Sequence, residues 1–362
     1  RQDPSFGTTE DLKELVKKAH ERGMKVVLDA VYNHTGREFF AFADILENGE
    51  KSKYRDLYFI DGFPLKSEWG EIPNFKCFGY YGGMPKLNLK NPEVEKYITD
   101  VACYWIKECD IDGWRLDVGD EISHFFWKNF RKAIKAVKKD MLIIGEIWHY
   151  AGDFLEGDEW DTVMNYPFYL NLIDLLTDEK INVSQFVQNL GYLKGRLNKK
   201  CYPLMWNLID SHDTARFLHL CNDNKKKQHL AAAFQLLLPG MPMIYYGDEY
   251  AMPGANDPDC RRGMYWDEEY QDKEMYEWYK RLIQVRKSHA CIVEGELAGI
   301  VTEDEEGTVV LIRKNGEETI AMIFNCSSSA KKFNEYTQKY NLLTENTFDG
   351  NVEGFDAAVI VL

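Results

Sequence analysis

The chain has no run of about 18 consecutive apolar residues, so nothing in it reads as a membrane-spanning helix. It lacks any basic excess. A net charge of −15 over 362 residues argues against nucleic acid, whose phosphates need a positive surface, and is indifferent to an uncharged ligand such as a sugar. It lacks CxxC pairs. The eight cysteines stand singly between Cys77 and Cys326, which excludes zinc-type spacing and fits reduced thiols in a cytoplasmic protein better than a disulfide framework. No Gly-rich phosphate loop follows a strand, and no internal repeat or low-complexity stretch stands out. Arg1-Gln2-Asp3-Pro4 carries no signal-peptide pattern, and without an initiator Met the chain reads as starting inside a longer protein.

What is present is a globular composition, 45% hydrophobic and 28% charged, long enough for one large unit and a smaller one. Leu12, Leu15, Val16 and Ala19 recur at helical spacing after Thr8-Thr9, and Gly23 closes the segment. Met24 to Val31 then reads as a buried strand with a polar end at Asn33-His34. The alternation repeats: helix over Pro92 to Cys109, strand over Ile111 to Val118, helix over Phe125 to Lys138, strand over Met141 to Glu146. Leu204 to Ile209 leads into Ser211-His212-Asp213, and Met241 to Tyr246 into Gly247-Asp248-Glu249. Apolar strands with polar C-terminal ends predict an α/β protein of the (β/α)8 TIM-type barrel class, whose active site lies on that face. A doubly wound sheet is the alternative, and the missing phosphate loop disfavours it.

The stretch 35–88 is aromatic and Gly-rich, and reads as a loop excursion or small subdomain. After about Ala290, apolar β-rich runs alternate with Gly, Asn and acidic turns. The expected division is therefore a barrel over 1–289 and an antiparallel β domain over 290–362, joined by a helix around Met275 to Lys287.

Four segments stand at strand ends: Asp29-Ala30-Val31-Tyr32-Asn33-His34, Gly113-Trp114-Arg115-Leu116-Asp117, Gly145-Glu146-Ile147-Trp148 and Asn207 to Asp213. In order and residue type they resemble the four signature regions of the α-amylase family, glycoside hydrolase family 13. Retaining cleavage of a glycosidic bond needs one carboxylate to attack the anomeric carbon and a carboxylic acid to protonate the leaving oxygen. The resemblance implies Asp117 as nucleophile, Glu146 as acid/base and Asp213 as the group holding the distorted ring. Arg115, two residues before Asp117, shares its strand face and favours an ionised nucleophile, while Glu146 needs to stay protonated. The resemblance further implies that His34 and His212 donate to sugar hydroxyls and that Asp29 is structural beside Arg115. Read from the residues alone, Asp117–Arg115 is also a candidate buried ion pair, the two histidines are candidate core histidines, and Asp210 is packing.

Met84-Pro85-Lys86-Leu87-Asn88, Gly247-Asp248-Glu249 and Asn256 to Arg262 resemble segments of the neopullulanase, cyclomaltodextrinase and maltogenic amylase subfamily. That implies maltodextrins, cyclodextrins or pullulan as substrates, cleaved at α-1,4 and in some members α-1,6 bonds. Glu121 and Trp148 are expected toward an acceptor sugar, Trp148 being equally readable as a core residue. Gly119-Asp120 departs from the subfamily's Ala-Asn before that Glu. Many α-amylases bind calcium through the residue that is Asn33 here, but Lys86 stands where an Asp would help, so no metal or other cofactor is expected at that site. The resemblance also implies two strands and a helix upstream of Arg1 to Gly7, and an upstream domain through which the longer protein can form a homodimer. On that reading this chain alone is expected to be weakly active or inactive. The alternatives are an α-glucosidase or a glucosyl transferase or isomerase using the same carboxylates, or a non-catalytic relative of the transporter heavy-chain kind. Such relatives typically lose the carboxylates and carry a membrane segment.

Overall fold

The computed structural model describes residues 4–66 and 72–362. Residues 1–3 of the Arg1 to Gly7 segment and residues 67–71 of the expected excursion lie outside them. The chain divides into two compact units, residues 1–147 with 151–163, and residues 148–150 with 164–362.

In the first unit, α1 (Thr9–His20) starts at a capping box: Thr8 Oγ1 accepts from Asp11 N, and Asp11 Oδ2 accepts from Thr8 N. The strand after it is shorter than the apolar run suggests, since only β1 (Val27–Ala30) pairs, and Val31 is already half exposed. Two more parallel strands, β2 (Gly113–Leu116) and β3 (Leu142–Gly145), and the two-residue β4 (Thr162–Val163), complete a sheet in sequence order. Between β1 and β2 lie α2 (Phe40–Asn48) and α3 (Pro92–Cys109). α3 has the bounds that its sequence predicts: Asn91 caps it, Pro92 sits in the first turn, and Asp110 leaves it at φ +53°. The excursion contains α2 and builds its own small core. Phe42 packs edge-on to Tyr58 at 5.0 Å and against Phe75 at 5.2 Å, and isolated bridges pair Ile60 with Phe75 and Tyr58 with Leu87. α4 (His124–Val137) presents Phe126, Trp127, Phe130 and Ile134 to the interior.

The second unit begins with α5 (Tyr166–Leu176) and α6 (Val183–Arg196), the latter opened by an Asn182–Gln185 capping box. Strands β5 (Trp206–Asn207) and β6 (Met241–Pro242) pair in parallel around α7 (Phe217–Leu220) and α8 (Lys225–Leu237). α9 (Lys273–Ser288) and α10 (Cys291–Glu294) lead into three long antiparallel strands, β7 (Glu296–Glu303), β8 (Thr308–Asn315) and β9 (Glu318–Asn325). Short strands β10 (Lys331–Lys332), β11 (Tyr340–Asn341), β12 (Asn346–Thr347) and β13 (Asn351–Val352) precede β14 (Asp356–Val361). The large sheet has the order β12-β11-β14-β9-β8-β7, and β10 pairs with β13 apart from it.

One apolar core spans α5, α6, α8, α9 and the inner face of this sheet. At its centre Phe234 of α8 stacks on Phe324 of β9 at 4.2 Å and meets Phe186 of α6 at 5.0 Å. Phe234→Ala removes a fully buried ring from both contacts, and is expected to lower unfolding stability by about 3–5 kcal/mol. Denaturant titration followed by circular dichroism measures it.

Candidate active site

The parallel register places Asp29 beside Arg115, and Gly145 beside Leu116. Asp117 and Glu146 are the first residues past their strands, yet their N–H groups continue the ladder, to Ala30 O and Leu116 O. Three carboxylates thereby converge on one guanidinium. Arg115 Nη1 donates to Asp29 Oδ1 and to Asp117 Oδ1, each at 2.9 Å. Arg115 Nη2 lies 2.8 Å from Glu146 Oε2, an ion-pair approach without hydrogen-bond alignment. Burial opposes the arginine's charge, but Asp29, Glu146 and Asp117 outweigh it and hold its pKa above the ordinary value. Arg115 and Glu146 are both buried; Asp29 is about half exposed at its side chain.

The turn after Asp117 is strained. Val118, a β-branched residue, sits at φ +47°, and its N–H donates to Glu146 Oε2 at 3.0 Å. Beneath the turn lies Trp160, fully buried and stacked on Phe154 at 4.1 Å. A Cβ at Gly145 would stand 2.2 Å from this indole, and one at Gly119 2.8 Å from it. Trp160 therefore fixes the backbone next to both Asp117 and Glu146. Nothing in the sequence reading singled it out; the paired glycines beside the two carboxylates are the signal that carried it.

His34 stacks on Phe78 at 5.4 Å and pairs with Lys86 in an isolated bridge. Burial lowers its pKa; Asp117 and Glu121 push the other way. Asn33 is fully buried and donates from Nδ2 to Glu121 Oε2 at 3.0 Å, while its Oδ1 has no hydrogen-bond partner. Lys86 Nζ donates to the same Glu121 Oε2 at 2.7 Å and to Glu121 O at 3.0 Å. A calcium ion does not fit these residues, because the Lys86 ammonium already holds the Glu121 carboxylate and carbonyl oxygens beside Asn33 that it would need. Among the described residues no group of three or more His, Cys, Asp or Glu is arranged to hold a metal.

In the second unit, Asp213 accepts from Arg261 Nη2 at 2.9 Å and lies 3.1 Å from His212 Nε2. Its N–H donates to Ser211 Oγ at 3.2 Å, and Ser211 Oγ in turn meets the Tyr166 hydroxyl. Arg261 comes from the Asn256 to Arg262 segment and is also held by Asp257. The base of the Asp213 loop is a buried charge cluster. Asp210 accepts from Phe217 N at 2.7 Å, and Arg216, completely buried, reaches Asp248 Oδ1 at 3.1 Å and faces the Tyr245 ring at 4.3 Å. Burial pushes Asp210 up to about 6 and Asp248 well above the carboxylate range, so the two acids share protons rather than both ionising. Trp148 is 41% exposed and stacks on Tyr166 at 4.0 Å. The structure thus gathers Asp29, Arg115, Asp117 and Glu146 into one cluster, and Asn33, Glu121 and Lys86 into a second. Asp213 and His212 form a third with Arg261.

Gly145→Ala is expected to cost about 1–3 kcal/mol through overpacking against the rigid indole, read as a shift of the denaturant midpoint. Dialysis against EDTA is expected to leave the thermal unfolding temperature unchanged. Stoichiometric calcium bound through Asn33 in metal analysis of the purified protein would contradict the ammonium assignment.

Residues 2–270 match the α-amylase catalytic domain profile. The chain is 46% identical over 328 residues to a cyclomaltodextrinase of Geobacillus thermopakistaniensis (strain MAS1), covering 91% of this chain and 55% of that protein. It is 41% identical over 324 residues to an intracellular maltogenic amylase of Bacillus subtilis, covering 89% and 54%. A solved cyclomaltodextrinase structure superposes with a TM-score of 0.93 at 37% identity, covering 99% of this chain and 64% of that one. The chain spans about half the length of the curated relatives it matches. Its fold class is the (β/α)8 barrel with a following antiparallel sheet. By domain match, sequence identity and fold, the chain belongs to the α-amylase family, glycoside hydrolase family 13.

Proposed function

We propose that this chain carries the catalytic centre of a retaining α-glucan hydrolase acting on α-1,4 glucosidic bonds of maltodextrins or cyclodextrins, with Asp117 as nucleophile and Glu146 as acid/base. The observation that carries the reading is the sharing of Arg115. Asp117 and Glu146 approach adjacent nitrogens of one guanidinium, at 2.9 and 2.8 Å. Two carboxyls so joined suit retaining chemistry, where they stand about 5–5.5 Å apart, better than inverting chemistry at about 6.5–9.5 Å. Asp117 attacks the anomeric carbon while Glu146 gives its proton to the leaving oxygen, which yields a glycosyl ester. Glu146 then takes a proton from water, whose oxygen displaces Asp117 with a second inversion. Three carboxylates around one cation leave surplus negative charge at the site. Asp213, oriented by Arg261, accepts from sugar hydroxyls of the distorted ring, His34 and His212 donate to them, and Glu121 and Trp148 serve the acceptor side.

The names of the relatives point to maltodextrin-type substrates, and the intracellular amylase among them supports a cytoplasmic setting, as do eight cysteines that form no disulfide among the described residues. No helix among the described residues is long and apolar enough to cross a membrane. Asp117→Asn is expected to lower kcat on maltotriose by on the order of 10⁴, with the sugar still bound. Wild-type hydrolysis followed by NMR is expected to release the α-anomer first. Full activity in the Asn variant, or initial β-anomer, overturns the reading.

A further inference from the structure

Trp148 follows Glu146 by two residues and opens onto a groove of about 410 Å³, of whose lining the catalytic reading uses Trp148 alone. The groove runs past Tyr150 to Tyr192 and Arg196 on α6, with Leu170 and Asp174 of α5 along its side. Its aromatic rings are held in place. The Arg196 guanidinium carbon lies 4.0 Å from the Tyr150 ring centre and 5.2 Å from that of Tyr192. Arg196 Nη1 donates to the Tyr192 hydroxyl at 3.1 Å, and the Tyr150 hydroxyl donates to Arg196 O at 2.8 Å. Asn189, also in the groove, is fixed by its bond to Asn171 Oδ1 at 2.8 Å. Despite this bracing Tyr192 is 66% exposed. An ordered but solvent-facing ring, held by Arg196 and with no partner ring across it among the described residues, has its exposed area to gain from a ligand.

The lining selects among ligand classes. One arginine and one aspartate offset each other, so an anion gains little field here. The apolar lining is a narrow strip of separated rings with Pro167, Leu170, Leu190 and Leu193, which is thin for a protein interface. A pyranose presents a C–H face and a rim of hydroxyls, and it matches rings spaced along a groove with amide, carboxylate and guanidinium groups at their edges. We infer that the groove from Trp148 through Tyr150 to Tyr192 and Arg196 binds the distal residues of a linear α-glucan chain. It gives the protein a grip on chains longer than the bond being cut requires. The inference rests on Glu146 being the acid/base, since that is what puts Trp148 on the acceptor side.

Titration calorimetry in the Asp117→Asn background, which keeps the sugars intact, compares maltotriose with maltoheptaose. Adding Tyr192→Ala is expected to weaken maltoheptaose by about fivefold, the loss of one stacking contact, with maltotriose unchanged. Tyr192→Phe, which keeps the ring, is expected to retain most of the affinity. Maltoheptaose binding that is unaffected by Tyr192→Ala, or equal weakening of both sugars, overturns the groove alone. Failure of the Asp117→Asn protein to bind either sugar overturns the proposed function with it.

Discussion

The guanidinium of Arg115 is the interaction on which the first unit's site depends. β1, β2 and β3 lie in parallel register, and only that register brings Asp29 from the first, Asp117 from the end of the second and Glu146 from the end of the third to one cation. A slip of one residue in β2 would turn Arg115, and Asp117 with it, to the opposite face and leave Asp29 and Glu146 without their cation. Glu146 and Arg115 are nearly dry, so loss of Arg115 leaves Glu146 a buried carboxyl without its cation, at about 3–5 kcal/mol. The ion pair that a bland reading of Asp117 and Arg115 anticipates is therefore present. It does not compete with the catalytic reading, because the same contact orients the carboxylate.

Close packing completes what charge begins. Val118 in the left-handed region aims an N–H at Glu146, and the cost of that conformation is borne by neighbours that leave no alternative. Trp160 against Gly119 and Gly145 is the chief of them, itself wedged between Phe154 and Trp127. Asp213 depends on a different device. Its own arginine, Arg261, orients it, while the loop that carries it starts from Asp210 and reaches Arg216 within six residues, both completely buried. Two acids that share a proton beside a buried arginine are costly to desolvate, and the bonds they accept from Phe217 N and from Arg216 specify one loop conformation.

How much of this the sequence disclosed follows from how each element is solvated. α1 and α3 are one-sided helices with capping residues, and both were legible, α3 to its end residues. α8 was not, because Leu230 to Leu238 are buried on every side and leave no period to find. α5 hides behind Pro167 and a run of aromatics buried on two faces. The strands read too long, since apolar residues continue past the few positions that pair. At the site, the carboxylates were visible because strand ends with Asp, Glu and His break an apolar run. Trp160, Arg216 and Asp248's proton-sharing were not, since a buried tryptophan or an arginine in a polar segment looks like many others until its neighbours are known. Lys86 was the exception: a cation where an anion was expected is a local signal, and its bond to Glu121 is what such a substitution demands.

The uneven charge at Arg115 has a functional logic on the proposed reading. The transition state of glycoside cleavage is oxocarbenium-like, so positive charge develops at the anomeric carbon while the substrate itself is neutral. A site with exactly balanced charge would offer that cation nothing that it does not offer the ground state. A site with surplus carboxylate binds the charged transition state better than the neutral sugar, which is what acceleration requires. Arg115 tempers the repulsion among Asp29, Asp117 and Glu146 enough for the fold to hold them together, without cancelling it. A second cation at this position would stabilise the empty protein and weaken the preference for the transition state, the usual opposition between stability and activity. The lysine that does lie in this unit's second polar cluster is bonded to Glu121 instead, so its charge is offset by a carboxylate of its own.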